Sequence, residues 1–289
     1  MKRLYGVLLL LTLVLLGVSC SAQEHPFLSK VPEIHDLVTG SVLSPRKVAQ
    51  APGIYGEWQT ELFGSPQAVT FIRVSPEAYS FDILCAEGER ADSTSALCSR
   101  FGALAGINGS YFNMRELTPV TYVKDDGFTV GTTSMKEASR TNGVFLSRTD
   151  GVCIEASDTT GLEDGAWEAM ASGPILIDDG EVYTYSESTP GWKGFFNTRH
   201  PRSLVGTDAE GYVWLVVVDG RSKGNAGGMT IAELTELSQM IGLTDALNLD
   251  GGGSSTLWTR SAGVLNHPSD NGRFDHFGQR VVPNIIAIR

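Results

Sequence analysis

The sequence predicts an α+β fold, a mixed β-sheet domain with a few helices that include a C-terminal βαβ unit. Three observations predict it. Strand-length apolar runs separated by turn residues recur from residue 54 onward. Helical spacing of apolar residues is confined to two short stretches. In the last third, a continuous apolar run, a capped amphipathic stretch and a second short apolar run follow one another, in the order strand, helix, strand.

The elements follow in order. Ile54–Leu62, Ala68–Val74 and Tyr79–Leu84 read as strands, punctuated by Ser65-Pro66 and Pro76. Asp92-Ser93-Thr94 caps a short helix over Ser95–Leu104, bounded by Gly106. Residues 118–166 hold short strands with Asp126-Gly127 and Asp150-Gly151 as hairpin turns. Ala171–Ile177 followed by Asp179-Gly180 reads as a strand entering another hairpin. Tyr212–Val218 is apolar throughout, as in a strand buried on both faces. Thr230 caps a helix in which Glu233 completes a capping box. Ile231, Leu234, Leu237 and Ile241 form its buried stripe, and Gly242 stops it. Ala246–Leu249 is the next strand.

Two strands joined by a returning helix run parallel. Asp219 and Asp250 therefore leave strand C-terminal ends at one pole of the sheet, where α/β sheets bind ligands. Asn108 ends a helix-then-strand segment and is placed with them.

The N-terminus reads as an address. Met1-Lys2-Arg3 precedes an apolar run over residues 4–16, too short for a span of ~20 residues, and small residues follow. Residues 1–19 are assigned as a signal peptide. Cys20, directly after Val18-Ser19, is the expected lipidation site, and residues 20–50, with Pro26, Pro32 and Pro45, form a tether and lead-in. Residues 51–289 are the catalytic domain. The expected location is the cell envelope, as a periplasmic or outer-membrane lipoprotein that meets the membrane through its lipid anchor only. Cleavage after Ala22 instead leaves a free secreted protein. Export permits disulfides. Cys85 and Cys98 close a short loop and are read either as a bridge or as two buried small hydrophobes.

Composition excludes several classes. A hydrophobic share of 42% with 19% charged residues is globular, not disordered. The formal net charge of −11 argues against a nucleic-acid partner, which requires many Lys and Arg to displace phosphate counterions. The 33 glycines exceed the usual ~7% share without any fixed period, so they mark turns and close backbone approaches. P-loop, nucleophile-elbow and zinc-ligand spacings are all missing from the sequence.

The pole residues suggest carbohydrate plus phosphate. Two acids suit acid–base or nucleophilic work at a sugar centre. Gly251, Gly252 and Gly253 let backbone N–H groups approach a ligand oxygen, and Ser254 and Ser255 add hydroxyls. Arg199, His200, Arg202 and Arg221 supply positive charge, and arginine's planar fork matches phosphate oxygens.

Seven strings occur in order: Ile107-Asn108-Gly109-Ser110-Tyr111-Phe112, Ser172-Gly173-Pro174, His200-Pro201-Arg202-Ser203, Val218-Asp219-Gly220-Arg221, Gly228-Met229-Thr230, Leu247–Thr256 and Arg280–Asn284. Over roughly residues 66–289 the chain resembles the phosphodiester glycosidase family. Ser203 stands where Thr is common, and Gln279 where Glu is common. The resemblance implies hydrolysis of a sugar-1-phosphodiester, with an N-acetylglucosamine-like sugar, at the anomeric carbon. It implies Asp219, Asp250, Arg202 and Asn108 as catalytic, and Arg221, Gly251, Gly252, Gly253, Ser254, Ser255, His200, Gly173 and Arg280 as substrate-binding. No cofactor is required, although Asp and Asn oxygens are ligands that calcium takes. The competing expectations are a surface glycan-binding lipoprotein without turnover, and a phosphodiesterase that cuts the P–O bond.

Overall fold

A computed structural model describes residues 53–86, 91–149, 151–157 and 166–289. The signal peptide, Cys20, the tether and the Asp150 turn residue lie outside the described residues.

The strands of the three larger sheets are β1 (Ile54–Leu62), β2 (Ser65–Val74), β3 (Phe81–Cys85), β4 (Ala105–Asn108), β5 (Val123–Asp125), β6 (Phe128–Gly131), β7 (Gly143–Arg148) and β8 (Gly151–Ala156). They continue as β9 (Glu168–Ser172), β10 (Ile175–Asp178), β11 (Glu181–Val182), β12 (Arg202–Asp208), β13 (Val213–Val218), β14 (Leu243–Asn248), β15 (Leu257–Thr259), β16 (Gly263–Val264) and β17 (Asn284–Ile288). Two helices, α1 (Thr94–Arg100) and α2 (Ile231–Ile241), flank them. A seven-stranded sheet has the order β1-β2-β13-β12-β14-β10-β11. Two five-stranded sheets have the orders β8-β7-β9-β5-β6 and β16-β15-β4-β17-β3.

Side-chain alternation explains how the layers stack. In β13, Val213, Leu215 and Val217 enter the core shared by all three sheets, while Trp214, Val216 and Val218 face the opposite way. That outer face is covered by Leu234, Leu237 and Ile241 of α2. A strand with a layer on each side has no polar face, hence its unbroken apolar run. The capping box of α2 is formed: Thr230 accepts from the Glu233 N–H, and the Glu233 side chain accepts from the Thr230 N–H. Gly242 ends the helix at φ +88°.

The βαβ expectation is modified. β13 and β14 are not neighbours, because β12 lies between them and is antiparallel to each. The two strands still share a direction, and α2 carries the chain over one intervening strand. All named pairings of the seven-stranded sheet are antiparallel.

The Cys85–Cys98 bridge is corrected. Both are buried free thiols. Phe81, Ile83 and Cys85 alternate into the central core, whereas Cys98 of α1 packs with Leu84 on the other face of that sheet. The sheet separates the two sulfurs, and burial raises both thiols well above their ordinary range.

Candidate active site

Strand direction gathers the candidate residues at one pole. β12 is antiparallel to β13 and β14, so Arg202 begins where Asp219 and Asp250 leave. β10 is antiparallel to β14, which brings Gly173 to the same edge. Asn108 ends β4 in another sheet but reaches across, its Nδ2 donating to the Asp250 carbonyl at 2.6 Å. The Asp250 N–H donates to the Gly109 carbonyl at 3.1 Å.

After Asp250 the chain turns tightly through Gly252–Ser254. Gly252 has φ +66°, and a Cβ there would meet the Arg221 guanidinium at 2.9 Å. A Cβ on Gly253 would collide with the Arg280 guanidinium and the Asp270 carboxylate. The glycines therefore let two arginines close over the turn.

Burial pushes the Asp250 carboxyl up to about 6. The Ser254 side chain, the Arg280 charge, the Gly251 N–H and the Arg140 charge all pull it back toward ionisation. The Ser254 hydroxyl lies beside this carboxylate without a well-aligned bond, and the Ser255 hydroxyl is buried with no protein partner. Buried unpaired donors are rare in folded proteins. The Ser255 donor on this glycine turn suits a ligand rich in oxygen.

The arginines differ in what they already hold. Arg221 sits at φ +60°, a conformation costly for a residue with a side chain. Arg280 pairs with the half-exposed Asp270, while its Nε is buried without a partner. Arg140 pairs with Glu137 and lies over the rings of Tyr111 (4.1 Å) and Phe195 (4.9 Å). Arg202 is 1% exposed and gives three of its five donors to the backbone. Its Nε donates to the Met229 carbonyl at 2.9 Å, and its Nη2 to the carbonyls of Phe195 (2.6 Å) and Thr198 (3.0 Å). Burial lowers it to about 10.

Other candidates are also committed. The Asn108 Oδ1 accepts from the Ser203 hydroxyl at 2.7 Å and the Thr256 N–H at 3.1 Å. This amide ties three segments together. Asp219 accepts from Asn266 Nδ2 at 2.9 Å, from the His267 N–H at 3.0 Å and from His267 Nδ1 at 2.9 Å. Its carboxylate thus holds the start of the loop that ends at Arg280, whereas that of Asp250 answers to the arginines. His200 Nε2 is 3.0 Å from the Gly194 carbonyl. The Gly173 carbonyl accepts from the Tyr111 hydroxyl and from Asn248 Nδ2.

Residues 101–289 match the model of the phosphodiester glycosidase family. The chain belongs to that family. It is 26% identical over 219 residues to the N-acetylglucosamine-1-phosphodiester alpha-N-acetylglucosaminidase of Mus musculus, covering 69% of this chain and 41% of that protein. The same-named protein of Bos taurus is 26% identical over 200 residues, covering 65% and 36%. The chain thus spans less than half the length of these relatives. In structure it resembles the zebrafish enzyme's catalytic domain auto-inhibited by its pro-peptide, with a TM-score of 0.64 and 19% identity over 81% of this chain and 82% of that one. A hypothetical protein from Synechocystis has a TM-score of 0.58 at 16% identity, covering 81% and 61%.

Several site residues of this phosphodiester glycosidase domain were not singled out from sequence. Tyr111 is fully buried, its hydroxyl raised by burial. It lies in the quoted Asn108–Phe112 string, so a signal was present. Arg140 lies in Ala138-Ser139-Arg140-Thr141, a stretch with no motif or period, and only the fold brings it to Asp250. His267 takes part through Asp219 and stacks on Phe274, with ring centroids 3.8 Å apart. Among the described residues, no group of three or more His, Cys, Asp or Glu could hold a metal ion.

Proposed function

We propose that this chain hydrolyses the glycosidic bond of a sugar-1-phosphodiester, with an N-acetylglucosamine-like sugar, releasing free sugar and a phosphomonoester. One observation carries the reading: a single carboxylate, Asp250, buried among arginine charge on a glycine turn with a spare hydroxyl donor.

The chemistry follows from those groups. Arg221 and Arg280 flank the turn and hold the phosphate oxygens, with Arg280 exchanging Asp270 for the ligand. The bond between C1 and the bridging oxygen breaks, and its electron pair leaves with the phosphate. A phosphomonoester is a stable leaving group, so it needs little protonation. Positive charge builds at C1 and the ring oxygen, facing ionised Asp250. The oxygen of water ends on C1, and its proton passes through Asp250 to solvent. Arg202, Asn108 and Asp219 are positioning residues: they hold the 195–198 segment, the Asp250 backbone and the Arg280 loop. The basic start, apolar run and Cys20 support an exported, lipid-anchored enzyme.

The test is incubation of the described domain with a nitrophenyl α-N-acetylglucosamine-1-phosphodiester in heavy-oxygen water. Label in the released sugar is the expected result. Label in phosphate points to P–O cleavage, and no release from any sugar-1-phosphodiester defeats the proposal.

A further inference from the structure

Across a π-helical turn from the arginine site lies a second cleft of a different character. Its volume is about 410 Å³, within the usual range for small-ligand sites. Tyr183, Tyr185, Trp192 and Phe196 line it, together with Asn197 and Gln239. Glu236 is its one charged lining residue, and no Lys or Arg contributes. Such a lining repels phosphate and favours an uncharged ligand.

The cleft is joined to the arginine site through one turn of π-helix, Trp192–Phe196. Phe195 turns toward the site, 6.1 Å from Tyr111 and 4.9 Å from the guanidinium carbons of Arg140 and Arg202. Phe196 turns the other way and is stacked under Trp192, with centroids 6.4 Å apart and planes at 18°. A second link comes from Tyr185. Its hydroxyl donates to the Ile175 carbonyl at 2.7 Å and accepts from Asn142 Nδ2 at 3.0 Å, close along the chain to Arg140.

We propose that the cleft lined by Trp192, Tyr183 and Gln239 is a subsite for a neutral pyranose ring carried by the substrate beyond its phosphate. A pyranose has an apolar C–H face and a rim of hydroxyls. The Trp192 ring is part-exposed and offers a flat apolar face with Phe196 buried beneath it, and the part-exposed Tyr183 adds to the lining. The rim groups match as well. Among the described residues, the Asn197 and Gln239 amides form no hydrogen bond within the protein, so their donors and acceptors are free for hydroxyls. An alkyl chain would leave these amides unsatisfied. The "beyond its phosphate" clause rests on the proposed reaction, but the affinity for a neutral sugar does not.

The experiment therefore reads binding and turnover separately. Isothermal titration calorimetry with chitobiose, cellobiose and maltose is run on wild type, Trp192→Ala and Gln239→Ala. Saturable binding of at least one disaccharide is expected, weakened about tenfold or more in each variant. No saturation with any of the three, or affinities in both variants equal to that of wild type, overturns the subsite, as does displacement of the bound sugar by decanol. Gln239 is only half-buried on α2, so its loss leaves the fold intact even if Trp192→Ala does not. In turnover, Gln239→Ala is expected to raise KM for a diester bearing a disaccharide on phosphate and to leave the nitrophenyl diester unchanged. An equal effect on both diesters overturns the placement. Sugar binding without turnover of any diester leaves the subsite standing and defeats the proposed reaction instead.

Discussion

Replacing Asp250 by Asn should abolish activity and stabilise the protein, with the gain appearing only as pH rises. An ordinary aspartate titrates near 3.8, and burial moves Asp250 to about 6. Below pH 3.8 the carboxyl is protonated in both folded and unfolded chains and adds no pH-dependent term. Between those values the unfolded chain loses the proton first, so folding becomes less favourable as pH rises. Above about pH 7 the penalty is complete. At about 1.36 kcal/mol per unit, the shift corresponds to about 3 kcal/mol. A little of Asp250 still meets solvent, so a gain of about 2 kcal/mol is the firmer expectation. Asn keeps the shape and mimics the uncharged acid. Urea denaturation of both forms at pH 4, 6 and 8 isolates the effect, because every other titrating group cancels in the difference. At pH 8 the variant should melt roughly 4–8 °C higher, and at pH 4 the curves should nearly coincide. Turnover should fall by about 10³-fold or more. A variant less stable than wild type at pH 8, or a difference independent of pH, would refute the reasoning, as would surviving turnover.

Three further outcomes are expected. Arg280→Met removes a charge that lowers Asp250, so the acid limb of kcat/KM should move to higher pH and KM should rise; an unmoved limb would separate Arg280 from Asp250. Asn108→Ala should cost about 2–4 kcal/mol, because it strands the Asp250 carbonyl, the Ser203 hydroxyl and the Thr256 N–H, and urea midpoints measure it. Burial lowers His267, but its bond to Asp219 and the Asp219, Glu57 and Asp275 charges outweigh that and raise it. The wild-type advantage over His267→Gln should therefore be full below about pH 6.5 and fade as pH rises through the folded value, which paired melts at pH 5.5 and 8.5 would show.

Local signals made much of the fold legible. The Thr230–Glu233 box and Gly242 bounded α2 because capping is written in adjacent residues. Val213–Val218 was readable as doubly buried because both of its faces are apolar. The position of β12 was not readable. Which strand lies between β13 and β14 is decided by long-range pairing, and nothing in either strand encodes it. The inference about the pole survived because it depends on strand direction alone. Two strands that are each antiparallel to a third point the same way, just as adjacent parallel strands do.

The same distinction governs the site. Sequence placed two acids at one pole, and Asp219 and Asp250 do leave the same edge. What a carboxylate does there depends on its neighbours, and those come from distant parts of the chain. Asn266 and His267, 47 and 48 residues away, occupy Asp219. Arg140, from a stretch without any motif, acts on Asp250. Arg202 shows the same limit, since carbonyls of Phe195, Thr198 and Met229 take up three of its five donors. The Nε and Nη2 donors so engaged are withheld from a phosphate, which leaves Nη1 alone to meet one. Arg221 and Arg280, held over glycines that leave them room, are better placed for that task.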